Sequence, residues 1–121
     1  MRDKDTQTSP LSDSPIDQAI VVGVQRSDMR DWQVEEAMDE MAQLAATAGV
    51  NVLDRHIFRL RKATAALLLG RGQAEEMAAR VADCGANVVL FDEDLSPVQS
   101  RNLENVAEVR VLDRTQVILD I

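Results

Sequence analysis

Tyrosine is absent from this chain, and aromatic residues make up 2% of it: Trp32, Phe58 and Phe91. A platform that reads single-stranded nucleic acid by stacking needs several aromatic faces in one groove, so that class is disfavoured. Cysteine occurs once, as Cys84 beside Gly85. No disulfide can form within the chain, and a lone thiol at a helix end reads as a buried structural residue in a reducing compartment. Histidine also occurs once, as His56, with no serine, cysteine or metal-ligand partner near it in sequence, and it too reads as structural. No apolar run approaches the ~20 residues of a membrane span, and no signal-peptide core opens the chain, so the expectation is a cytoplasmic protein without membrane contact. No G-x-x-x-x-G-K-[ST] segment exists anywhere, which removes P-loop nucleotide hydrolysis, and no catalytic constellation takes its place. The 121 residues are expected to perform no catalysis themselves.

What is present is acidic and segregated. The net charge is −8 over 121 residues, in keeping with one soluble domain. Between positions 55 and 71 stand Arg55, Arg59, Arg61, Lys62 and Arg71 with no carboxylate among them. Subtracting these five charges from −8 leaves −13 for the remainder. Strand geometry puts Arg55, Arg59 and Arg61 on one face and His56 on the other. Such a patch suits a phosphate backbone, and it equally suits an exposed edge strand kept from pairing by its charges.

The chain alternates between two periodicities. Residues 1–17 are polar and carry Pro10 and Pro15, which predicts a disordered tail. Apolar runs at 19–24 and 88–91 predict strands covered on both faces. A helix is expected from about Trp32 to Ala48, with Glu35, Glu36, Asp39 and Glu40 on its solvated side and Gly49 as its stop. A second strand is expected over about 50–61, and a short one over Ala66-Leu67-Leu68-Leu69. The gap between those two is too short for a crossover helix, which implies a hairpin-like step or a second strand that bends out of the main sheet. Helices follow, one ending at Cys84 and Gly85, and another opened by Ser96-Pro97-Val98-Gln99, where Ser96 caps and Gln99 reaches back. A strand at 109–112 and a helical segment over 116–121 with no stop signal complete the pattern. The expected fold class is therefore α/β, a mainly parallel sheet of four to five strands with helices on both faces. The uncapped end suggests a fragment of a longer polypeptide or a partner that completes it.

In such sheets ligands gather beyond the carboxyl ends of the strands. Two loops expected there carry unusual chemistry. Gly70-Arg71-Gly72-Gln73 could offer backbone N–H groups and a positive charge to an anion, or serve simply as a tight turn. Asp92, Glu93 and Asp94 could supply hard oxygen ligands to magnesium, or form a solvated loop near a helix start. No metal is expected.

The stretch VVLFDEDLSPVQSRNLE followed by VRVLDRTQVILDI closely resembles the N-terminal domain of the HflX family of ribosome-associated GTPases. The matching features are Phe91-Asp92, Leu95-Ser96-Pro97, Gln99, Arg101-Asn102-Leu103-Glu104, Asp113-Arg114-Thr115 and Ile118-Leu119-Asp120-Ile121. LLLGRGQAEEM and EEAMDEMAQLAATAGV fit the same layout, so the resemblance spans 18–121. It implies a regulatory, ribosome-contacting domain of a GTP-binding protein. The expected partners are ribosomal RNA of the large subunit and the protein's own GTPase domain or a helical partner. Arg55, Arg59, Arg61 and Lys62 are the candidate RNA contacts. The implied ligand, if any, is a nucleotide, ATP or GTP, at Gly70, Arg71, Gly72 and Gln73. The chain departs from the family pattern in three places. Gln73 stands for the lysine of G-x-G-K, Gln116 for the glycine of R-T-G, and a proline- and tyrosine-bearing loop is shortened to Lys62-Ala63-Thr64. A free-standing, divergent nucleotide- or protein-binding module is the alternative.

Overall fold

The computed structural model describes residues 16–119; of the tail expected over 1–17, positions 1–15 lie outside them, as do the last two positions of the chain, while Asp17 is described and pairs with Arg110 at 3.2 Å. Four strands, β1 (Gln18–Arg26), β2 (Asn51–Leu60), β3 (Val88–Asp92) and β4 (Arg110–Leu112), form one sheet in the order β2-β1-β3-β4. Every pairing is parallel. Four helices alternate with them: α1 (Asp31–Thr47), α2 (Arg71–Cys84), α3 (Pro97–Ala107) and α4 (Arg114–Leu119). The α/β class with a parallel sheet is as expected.

Burial follows strand position. β1 and β3 are central, and their apolar runs are buried on both sides. β2 lies at the sheet edge, which is why its residues alternate between exposed and covered rather than reading as a continuous apolar run. Ala19, Val21, Val88 and Leu90 pack with Val34, Met38, Met41 and Ala45 of α1 and Val117 of α4. Ile20, Val22, Val89 and Phe91 face the other way, against Met77 and Val81 of α2 and Leu103 and Ala107 of α3. One helix pair thus covers each face.

Three expectations need correction. Ala66-Leu67-Leu68-Leu69 is not a strand. It closes a tight turn in which Thr64 and Leu68 exchange two backbone hydrogen bonds, Leu68 N–H to Thr64 O at 3.0 Å and Thr64 N–H to Leu68 O at 3.1 Å. The run is apolar because Leu68 and Leu69 dip into the core under α2 and α3, not because it joins the sheet. Nor does β2 bend away, since it pairs with β1 along its length with one irregularity between Ala19 and Ile20. Cys84 is half-buried rather than buried, its thiol directed at the Val81 carbonyl at 3.8 Å.

Candidate functional site at the carboxyl edge

Because all four strands run the same way, their carboxyl ends share one edge. The loops after β1, β2 and β3 lead there into the N-termini of α1, α2 and α3. Residues 70–73 and 92–94 therefore emerge on the same border of the sheet. The strand order reverses between β1 and β3, which is where an open sheet of this kind leaves its crevice.

That crevice is filled by the chain's own ion pairs. Arg26, at the end of β1, meets Glu93 at 3.4 Å. Arg114, at the start of α4, donates from Nε to Asp92 Oδ1 at 3.1 Å and from NH2 to the Asp92 carbonyl at 3.2 Å. Burial alone would lower the Arg114 pKa, but the charge and hydrogen bond of Asp92, with Glu93 and Asp94 beyond, outweigh it and hold the guanidinium above its ordinary value. Thr115 donates to Asp94 at 3.0 Å. Each of the three carboxylates has a partner within the protein, and among the described residues no group of acidic, histidine and cysteine side chains is spaced for a metal ion. Asp113 completes the staple. One carboxylate oxygen accepts the Leu95 N–H at 3.1 Å, and the other accepts the Gln116 N–H at 2.9 Å while Gln116 Oε1 takes the Asp113 N–H. Gln116 therefore closes a reciprocal cap on α4, a role a glycine in its place could not fill. Asp113 and Arg114 stand out in the sequence only as part of a family motif and Arg26 not at all; their pairing with Leu95, Asp92 and Glu93 comes from strand order.

The glycine corner begins α2. Gln73 uses both ends of its amide internally: Oε1 accepts the Gly70 N–H at 3.0 Å, and Nε2 donates to the Arg59 carbonyl at 2.7 Å. It ties the helix start to the end of β2 and occupies the first N–H that an anion would need. The N–H groups of Arg71, Gly72 and Gln73 have no protein acceptor among the described residues. A Cβ on Gly72 would meet nothing within 4 Å, so neither packing nor backbone strain demands glycine there.

The predicted cations divide. Arg55 lies over α1 and pairs with Asp39 at 2.9 Å and Glu35 at 3.8 Å. Arg59 lines a cleft of about 260 Å³ with Gln25, Asp31, Val34, Glu35 and Ile57. Arg61 and Lys62 are exposed just past the end of β2, and Arg71 is exposed at the first position of α2. Among the described residues, no carboxylate lies within 4.0 Å of Arg59, Arg61, Lys62 or Arg71. His56 points to the opposite face, as its register predicts, 3.3 Å from Glu76. Its pKa is lowered, first by burial and then by Arg80, against the opposing pull of Glu76 and Asp54. The larger groove on that face, about 480 Å³, is walled by Asp54, Glu76, Asp83, Arg80 and Cys84 and is mainly anionic. It does not suit a phosphate.

Residues 35–121 match a family described as GTP-binding GTPase N-terminal. The GTPase HflX of Escherichia coli K12 is 45% identical over 109 residues, covering 87% of this chain and 24% of that protein. The GTPase HflX of Flavobacterium psychrophilum is 31% identical over 105 residues, covering 87% and 25%. A crystal structure of an SsGBP mutation variant superposes with a TM-score of 0.60 at 17% identity, over 84% of this chain and 32% of that one, a likeness of fold. The chain spans about a quarter of the length of these curated relatives. No helix among the described residues is long and apolar enough to cross a membrane. The chain belongs to the GTP-binding GTPase N-terminal family, and its relatives place it as an HflX-type N-terminal domain.

Proposed function

We propose that this domain is the regulatory and RNA-docking unit of an HflX-type GTP-binding protein, and that it engages the phosphate backbone of the large ribosomal subunit. The observation that carries the reading is the gathering of Arg59, Arg61, Lys62 and Arg71 at one edge, none with a carboxylate within 4.0 Å among the described residues, in a chain of net charge −8. Four cations without an ion-pair partner among the described residues, beside a helix N-terminus, make a surface suited to phosphate oxygens. Arg55, already paired with Asp39, contributes less. Bond-breaking chemistry belongs to a P-loop that these 121 residues do not contain. Charge reversal at Arg61 and Lys62 together should weaken co-sedimentation with large ribosomal subunits. It should also flatten the dependence of log affinity on log salt by about 1.4 to 1.8, two phosphate contacts' worth. Unaltered sedimentation and slope would refute the reading.

A second reading makes the glycine corner a nucleotide or anion site. Its support is the exposed Gly72 with open space where a side chain would stand, beside the first-turn N–H groups. Gln73 works against it by capping Gly70. Replacing Gln73 by lysine releases that N–H and adds a charge, so ATP or GTP should shift the amide signals of 70–73 more in Gln73→Lys than in the parent. No shift in either protein would dispose of the site.

A further inference from the structure

The outward face of α1 carries the only tryptophan of the chain, Trp32, 61% exposed. Its position on the helix accounts for that exposure. Val34, Met38, Met41 and Ala45 form the buried row of α1, and two residues turn a helix by about 200°. Trp32 therefore projects away from the sheet. Glu36 follows one turn later on the same side, with Asp39, Glu40 and Gln43 continuing the stripe, all exposed. Among the described residues, no Lys or Arg nitrogen lies within 4.0 Å of Glu36 or Glu40. Asp39 is held by Arg55 at 2.9 Å at the border of the stripe.

A solvated acidic face has no use for an exposed indole, which is among the most energetic anchors an interface can contain. The carboxylates decide what kind of partner the indole would meet. They repel phosphate, which separates this face from the cationic edge, and they attract cations. Guanidinium fits both features better than ammonium, because it stacks flat on an indole and pairs with carboxylates through two parallel N–H groups. We propose that the outward face of α1 docks an arginine-rich protein segment, with one guanidinium on Trp32 and others on Glu36 and Glu40.

The lone tryptophan makes its own reporter. Nona-arginine added to the protein at about 0.1 M salt, where loose attraction is screened, should change Trp32 emission saturably, and nona-lysine should bind several-fold more weakly. Glu36→Gln with Glu40→Gln should weaken the arginine peptide about 5-fold. Trp32→Leu should weaken it about 3-fold, read by anisotropy of a labelled peptide. Glu75→Gln with Asp83→Asn removes the same charge from α2 and should leave affinity unchanged. The proposal fails if that control weakens binding as much as the α1 pair, because attraction would then be to net charge alone. It fails equally if Trp32→Leu binds like the parent. Oligouridylate perturbing Trp32 where the arginine peptide does not would assign the face to RNA. Emission that changes with protein concentration alone would assign it to a second copy. Either result overturns the proposal.

Discussion

Two glycines of this chain illustrate opposite reasons for the same residue. At Gly23, in the middle of β1, a Cβ would stand 2.5 Å from the Met38 sulfur, so α1 lies as close to the sheet as it does because no side chain intervenes. The thioether is flexible and can swing aside at a cost. Gly23→Ala should therefore lower stability by about 1–2 kcal/mol in urea unfolding. Gly72 has open space, lies in a helix and has no positive φ, so Gly72→Ala should raise stability by up to about 1 kcal/mol. Parity between the two substitutions would contradict the close approach of Met38. His56 supplies a prediction of a different kind. Its folded pKa lies below the unfolded value near 6.5, so the unfolded chain binds more protons as pH falls through that range. The His56 contribution to stability is complete above pH 6.5 and is lost as pH drops toward the folded pKa. His56→Gln should reduce the loss of stability between pH 7 and pH 5. An identical pH profile for parent and variant would count against the assignment of its cause, burial together with Arg80.

The most telling element is the turn at 64–68. Its apolar sequence resembles a strand, yet Leu68 takes φ +65°, a left-handed conformation that no strand residue adopts. The neighbouring side chains hold it there. Thr64 Oγ1 donates to the Leu69 carbonyl at 3.0 Å and accepts the Leu67 N–H at 3.1 Å. From α3, Gln99 donates to the Thr64 carbonyl and Asn102 to the Ala66 carbonyl, each at 2.9 Å. The turn and α3 therefore act as one unit, and the turn positions Arg61 and Lys62 at the edge. Thr64→Val keeps the shape but loses both hydroxyl bonds, with an expected cost of about 1–3 kcal/mol. Asn102→Ala should speed amide exchange at Leu68, whose N–H is bonded across the turn, more than at Val89 in the sheet. Equal protection in parent and variant would mean that α3 does not brace the loop.

At the scale of the molecule, the crevice between β1 and β3 is closed from within. Asp92 keeps only 12% of its side-chain surface, and Arg114 is its partner across 22 residues. Arg114→Gln should cost about 1.5–3 kcal/mol, the worth of hydrogen bonds to a charged group. Because Arg114 lies apart from the proposed RNA contacts, ribosome binding should survive when measured well below the unfolding midpoint. Loss of binding by a folded Arg114→Gln protein would extend the docking surface into the crevice. The alternation of strands and helices, the Ser96 cap, the helix stops at Gly49 and Gly85 and the concentration of cations at 55–71 were all legible in the amino-acid order. Each depends on forces acting within a few residues: side-chain period, cap chemistry and backbone freedom. The turn at 64–68 was not legible, because an apolar run reports burial without reporting conformation. Nor could the order say that Gln73 would turn inward to Arg59, that Asp39 would neutralise Arg55, or that Arg26 and Arg114 would fill the crevice. Those outcomes join residues 14 to 67 positions apart, and only the β2-β1-β3-β4 arrangement brings them within hydrogen-bonding or ion-pair reach.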